Sequence, residues 1–268
     1  MIILRYVKRL IISFMIILAA LYMYDWYNSY QGTNRVSGAH TSIEQSIEQN
    51  EDTLSRGDRI YRVFTFKEHV SEALERRVPP EKWVKSDSIP ENAKRALVAI
   101  EDKRYYRHGA IDVLGVIRAF YVNTVAGETL EGGSTITQQL VKNLFLSSKR
   151  IMSRKIEEAI LAIEMEYYYD KDEIITMYLN TVYYGHNYYG LREAAEGYFG
   201  TSPGRLTLAQ SAMLAALPNA PTYLDPHVNY EAVKKRQKLV LQEMVAQDMI
   251  TQAEADYAYE QDLGLREE

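Results

Sequence analysis

Apolar positions along this chain recur mostly at helical spacing, and alternation of the sheet kind is scarce. The first feature is an uncharged run, Leu10 to Tyr24, of about 15 residues, or ~22 Å as a helix, against the ~30 Å of a hydrocarbon core. The apolar residues ahead of Arg5 and snorkelling of Lys8 and Arg9 make up the difference, and Trp26 and Tyr27 stand where an interfacial belt would be. No small-residue cleavage site follows. Residues 1–30 therefore predict a cytoplasmic tip and one uncleaved transmembrane anchor, with everything after it outside. Residues 31–80 read as a polar stalk and linker, with a strand at Arg59 to Phe66 and a Val78-Pro79-Pro80 break before a main domain at 81–268.

Within that domain the pattern predicts helix after helix. Ser88 to Glu91 has capping-box spacing, and Ala93, Ala96, Leu97 and Ile100 then form one buried face that delivers Glu101 and Asp102. Val113, Val116, Ile117 and Phe120 make a second stripe. Ile156, Ile160, Ile163 and Tyr167 predict a third core face, with Glu157, Glu164 and Glu166 in solvent. Asp170 with Glu173, Thr207 with Gln210, and Thr251 with Glu254 are further capping boxes, and Asn229 opens a long amphipathic helix through Met249. The fold class this implies is mainly α.

Composition narrows the chemistry. The 268 residues are 47% hydrophobic, enough for a packed core, and a net charge of -5 gives no reason to expect nucleic acid. There is no cysteine, so disulfides, thiolate nucleophiles and cysteine zinc sites are excluded. Five scattered histidines form no HExxH pair, and 22 tyrosines suit amphipathic walls and sugar-stacking surfaces.

Two stretches carry candidate chemistry. In Glu131 to Asn143, EGGSTITQQLVKN, glycines precede Ser134 and Thr135 at a helix start whose amides suit an anion, with Lys142 two turns in and Arg150 beyond. That is a grip for a sugar pyrophosphate, or a capped helix with a solvated lysine. Glu101, at the edge of an apolar stripe, is partly desolvated, which raises its pKa and suits it to act as a base. Asp102 could equally be a structural hydrogen-bonder, and Glu173 has a purely structural alternative as a capping residue.

AIEDKRYYRHGAID followed by GGSTITQQLVKNLFL resembles the first two signature motifs of the peptidoglycan glycosyltransferases, the lysozyme-like domains of class A penicillin-binding proteins and monofunctional transglycosylases. The resemblance extends over roughly Ser88 to Ile250 and departs at Tyr105, where phenylalanine is usual, at Ala110, where glycine is usual, and at Thr201, where lysine is usual. It implies a lysozyme-like large lobe with a small membrane-proximal jaw lobe, polymerising lipid II at the bacterial cell membrane. By resemblance Glu101 and Glu173 are catalytic, and Asp102, Arg118, Ser134, Thr135, Gln138, Gln139, Lys142, Arg150, Arg154 and Glu158 bind substrate. No cofactor is required; a divalent cation, magnesium or manganese, could join Glu173 to the pyrophosphate. Implied partners are lipid II, the growing glycan strand, the membrane and other cell-wall synthases such as penicillin-binding proteins. With no S-x-x-K or K-T-G signature, a monofunctional chain is expected. A muramidase-like hydrolase with two carboxylates and a non-catalytic scaffold are the competing classes.

Overall fold

A computed structural model describes residues 55–127, 132–146 and 152–266. The expected anchor, most of the stalk and Arg150 lie outside them. Among the described residues no helix is long and apolar enough to cross a membrane. The chain runs through α1 (Arg56–Phe64), α2 (Phe66–Arg77), α3 (Glu91–Glu101), α4 (Val113–Ala126), α5 (Ile136–Phe145) and α6 (Met152–Tyr168). It continues through α7 (Lys171–Thr181), α8 (Gly190–Phe199), α9 (Leu208–Ala216), α10 (Tyr230–Ala246) and α11 (Gln252–Glu260). The architecture is mainly α, and among the described residues the strand-like pairing is one isolated bridge between Tyr183 and Tyr189.

Small residues set the centre of the fold. Ala209, Ala212, Met213 and Ala216 of α9 are fully buried, so that α3, α10 and α11 approach closely. On the other side α5 packs against α2, α6 and α7, and α7 packs against α8. Arg77, buried at the end of α2, donates from Nε to the Thr181 carbonyl at 2.8 Å and from Nη1 to the Asn143 carbonyl at 2.9 Å. One guanidinium thus satisfies the last turns of both α5 and α7, the helices that carry the site. Gly190 opens α8 at φ +83°, and a Cβ there would lie 2.2 Å from the Asn180 carbonyl oxygen. Only glycine fits that approach.

Several expectations need correction. Arg59 to Phe66 is helical, not a strand, and α2 belongs to the core through Phe66, Val70 and Ala73. The Ser88 capping box does not form, because α3 starts after Pro90 and Glu91 becomes its first residue. The boxes at Asp170, Thr207 and Thr251 do form. Asn229 occupies the N-cap of α10 without a side-chain cap, and its amide turns to the Tyr223 carbonyl.

Two helices bury other faces than their apolar stripes predict. In α4 the buried residues are Gly115, Val116, Ala119 and Asn123, leaving Val113, Ile117 and Phe120 exposed beside Leu114, Tyr121 and Val125. Small residues let the backbone at Gly133 press against α4, where a Cβ would meet the Val116 Cα at 3.3 Å. In α6 the core face is Leu161, Ala162 and Met165, and Ile160, Ile163 and Tyr167 are exposed. The glutamates decide it. Glu157 pairs with buried Arg62, Glu158 with Arg154 and Lys155, and Glu166 with Thr137 and Lys171, so the carboxylates turn inward to their partners.

Candidate active site

Glu101 is the last residue of α3, and its Oε2 accepts a 2.7 Å hydrogen bond from Gln139 Nε2 on α5. Gln139 Oε1 in turn accepts from the buried Tyr178 hydroxyl on α7 at 3.1 Å. Desolvation pushes the Glu101 carboxyl above its ordinary value of 4.5. The Gln139 bond, Arg236 and Lys142 oppose that rise, and Asp102 adds to it. The result is a carboxylate with a strengthened affinity for a proton, held by one oxygen.

Lys142 lies on the same helix as Gln139, three residues on. Its surface is solvent-accessible, yet protein atoms crowd it, so desolvation lowers its pKa from 10.5. Glu158 and Glu101 hold it charged, whereas Arg154 and Lys155 work against that. Glu158 is 2% exposed. It accepts from Arg154 Nη1 at 3.0 Å and from Lys155, whose ammonium also reaches Ser134 Oγ at 3.1 Å. Three cations around one buried carboxylate leave a net positive group, which reaches Glu101 through Lys142.

Other sequence-chosen residues serve the frame. Asp102 is buried; its Oδ1 lies 2.7 Å from His108 Nε2, and its Oδ2 accepts the Ile136 backbone N–H at 3.1 Å. The anion at the N-terminus of α5 is therefore the protein's own carboxylate. Thr135 and Gln138 close a reciprocal capping box through their own amides, and the Thr135 hydroxyl donates to the Ala110 carbonyl at 2.8 Å. All three side chains thus hold the start of the helix. Burial of His108 alone would lower its pKa, but the bonds to Asp102 and the Gly109 carbonyl raise it above 6.5. Both ring nitrogens face acceptors, which fits an imidazolium.

Glu173 fills the structural role that its spacing from Asp170 allows. It is exposed and accepts the Asp170 backbone N–H at 2.8 Å as the third residue of a complete capping box. The buried acid in the cationic group is Glu158. Arg118 is exposed on α4. Asp102, His108 and Asp112 present ligand atoms within 4.8 Å of one another. The His108 ring nitrogens are already engaged with Asp102 and the Gly109 carbonyl, and Arg104 binds Asp112 at 2.9 and 3.2 Å, bringing positive charge there. That arrangement is a poor host for a cation.

The departures from the family pattern are accommodated. Ala110 is buried and is not among the positive-φ residues, so glycine's freedom is not needed. Tyr105 is fully buried, and its hydroxyl donates to the Lys171 carbonyl at 3.0 Å. Sequence reasoning left Lys155, Tyr178 and Arg236 out of the site. Lys155 was legible beside Arg154, but Tyr178 and Arg236 sit in helices whose patterns speak only of packing.

A family model described as "Transglycosylase" matches residues 67–245. The chain is 45% identical over 181 residues to penicillin-binding protein 1A of Neisseria flavescens, covering 68% of this chain and 23% of that protein. It is 43% identical over 186 residues to penicillin-binding protein 1A of Aquifex aeolicus, covering 69% and 26%. The chain thus spans about a quarter of the length of these curated relatives. A crystal structure of penicillin-binding protein 1A from Haemophilus influenzae matches at 23% identity and a TM-score of 0.42, over 72% of this chain and 19% of that one, too loosely to bear on the fold. The family match begins one residue into α2 and runs to the end of α10, taking in Glu101, Gln139, Lys142 and Glu158: the chain belongs to the transglycosylase family.

Proposed function

We propose that this chain is a peptidoglycan glycosyltransferase that polymerises lipid II into β-1,4 glycan strands. The observation that carries this is electrostatic. A desolvated carboxylate, Glu101, interacts electrostatically with Lys142, and Lys142 in turn with the Arg154–Lys155–Glu158 group. In this reading Glu101 takes the proton from the acceptor sugar's 4-hydroxyl as that oxygen attacks the donor's anomeric carbon. The new C–O bond forms as the bond to phosphate breaks, and its electron pair leaves with undecaprenyl pyrophosphate. Direct displacement turns an α-linked donor into a β-linked product. Lys142, Arg154 and Lys155 stand where negative charge develops on the leaving pyrophosphate, and fixed cations lower the barrier there. Arg118 and Arg150 are assigned to the same substrate cleft by resemblance alone. A magnesium or manganese ion, if used, would come with the pyrophosphate oxygens.

The lysozyme-like lobe with a membrane-proximal jaw, the single N-terminal anchor and an extracytoplasmic catalytic domain belong to the same proposal. Their support is the uncharged run Leu10 to Tyr24 and the exposed apolar side of α4. A contiguous exposed apolar patch marks a partner or membrane surface. Other cell-wall synthases are proposed protein partners.

The test is direct. Purified chain incubated with labelled lipid II should give a ladder of glycan products on a gel. Solubilisation of finished peptidoglycan with no ladder would favour a hydrolase, and neither activity would favour a scaffold.

A further inference from the structure

The candidate base is held from one side by a hydrogen-bonded line. Tyr178 is 1% exposed, and its hydroxyl, Gln139 and Glu101 form one hydrogen-bonded line across α7, α5 and α3 with links of 3.1 and 2.7 Å. Among the described residues Glu101 Oε1 takes no hydrogen bond from the protein. We propose that Tyr178 is a positioning residue: by fixing the Gln139 amide it pins Glu101 Oε2 and leaves Oε1 turned to the acceptor hydroxyl. The proposal rests on the reading of Glu101 as general base.

A glutamine amide has two orientations of nearly equal shape, and only one is useful here. With Nε2 toward Glu101 the amide donates to the carboxylate, and Oε1 receives the phenol proton. The flipped amide would set its oxygen against a carboxylate oxygen and leave the buried phenol proton without an acceptor, a costly loss inside a protein. A phenylalanine would fill the same space but would remove the phenol's part in that choice, leaving it to the Glu101 carboxylate alone. Burial pushes the Tyr178 phenol well above 10, so it remains a donor wherever the enzyme works. The charged groups that face Glu101 beside this line are Lys142 of α5, Arg236 of α10 and the neighbouring Asp102. None of them contacts the Glu101 carboxylate as Gln139 does.

Loss of the Gln139 donor raises the Glu101 pKa, because that bond favours the charged form. The experiment is the pH dependence of kcat/KM for lipid II polymerisation in the wild type, Tyr178→Phe, Gln139→Leu and the double variant. The acidic limb should move up by about one pH unit in either single variant, with about a tenfold loss on that limb. The double variant should move it no further. Tyr198→Phe is the control: it also loses a buried phenol bond, to the Tyr184 carbonyl at 2.9 Å, and should leave the limb in place. A wild-type limb in both Tyr178→Phe and Gln139→Leu, alongside an inactive Glu101→Gln, would overturn the positioning role and spare the base. Sustained polymerisation by Glu101→Gln would remove the base itself, and the proposal with it. Should Tyr178→Phe misfold, Gln139→Leu tests the same link from its other end.

Discussion

Glu158→Gln and Glu173→Gln form a pair of variants that separates the two acids named from the sequence. Glu158 is 2% exposed, and its partners Arg154 and Lys155 have side chains only 12% and 14% exposed. Removing one member of a buried ion pair costs about 3–5 kcal/mol, because the remaining charge stays buried without compensation. The partial exposure of both cations argues for the lower end, about 3 kcal/mol. For a domain of this size that is a fall of roughly 6–12 °C in Tm. Turnover should fall as well. Glu158 is the leading charge holding Lys142 in its protonated form, so its loss lets desolvation lower the Lys142 pKa further. Glu173 is exposed and sits in a capping box where glutamine also serves. Only its favourable placement near the helix N-terminus is lost, about 0.3–1 kcal/mol. Thermal unfolding followed by circular dichroism, with lipid II polymerisation on the same preparations, reads both effects. An unchanged Tm in Glu158→Gln would refute the buried-pair reading, and an inactive but folded Glu173→Gln would give the cap residue a part in the reaction as well.

Three further outcomes follow from buried groups. The His108 pKa is raised above 6.5 in the fold, so its contribution to stability is complete below 6.5 and disappears as pH rises through the folded value. Urea unfolding of the wild type should show that decline, and His108→Gln should lack it. Glu101 has the opposite sign. Its folded pKa lies above 4.5, so its ionisation costs stability as pH rises from 4.5 through the folded value, and Glu101→Gln should be more heat-stable than the wild type at neutral pH, with the gain vanishing below 4.5. Gly190→Ala combines φ +83° with a Cβ 2.2 Å from the Asn180 carbonyl oxygen and should cost more than about 2 kcal/mol in denaturant unfolding.

The helices were legible because apolar spacing and capping chemistry are local. Asp170, Thr207 and Thr251 each formed the box their sequence announced. Ser88 failed because Pro90 takes the cap position, a choice made by the chain's path rather than by the four-residue pattern. Facing was harder to see. In α6 both sides carry apolar residues, and what turned Glu157, Glu158 and Glu166 inward were partners 95, three to four, and 5 to 29 residues away. Only the Glu158 pairs, to Arg154 and Lys155 of the same helix, lie within reach of a local pattern; the partners of Glu157 and Glu166 lie on other elements. The same limit applies to the site. Glu101, Gln139 and Lys142 stood out in contiguous motifs, whereas Tyr178 and Arg236 reach Glu101 only through folding. Glu173 and Asp102 show a further limit: the fold gives Glu173 a capping role and Asp102 a place at a helix start, and neither role decides what the residue does toward substrate.

The most direct test of the account is glycan formation by Glu101→Gln under saturating lipid II, with lipid II binding measured on the same sample. Binding near the wild-type level with no glycan ladder is the expected result, since Lys142, Arg154 and Lys155 remain while the proton acceptor is gone. A ladder formed at the wild-type rate would contradict the assignment of Glu101 as the base.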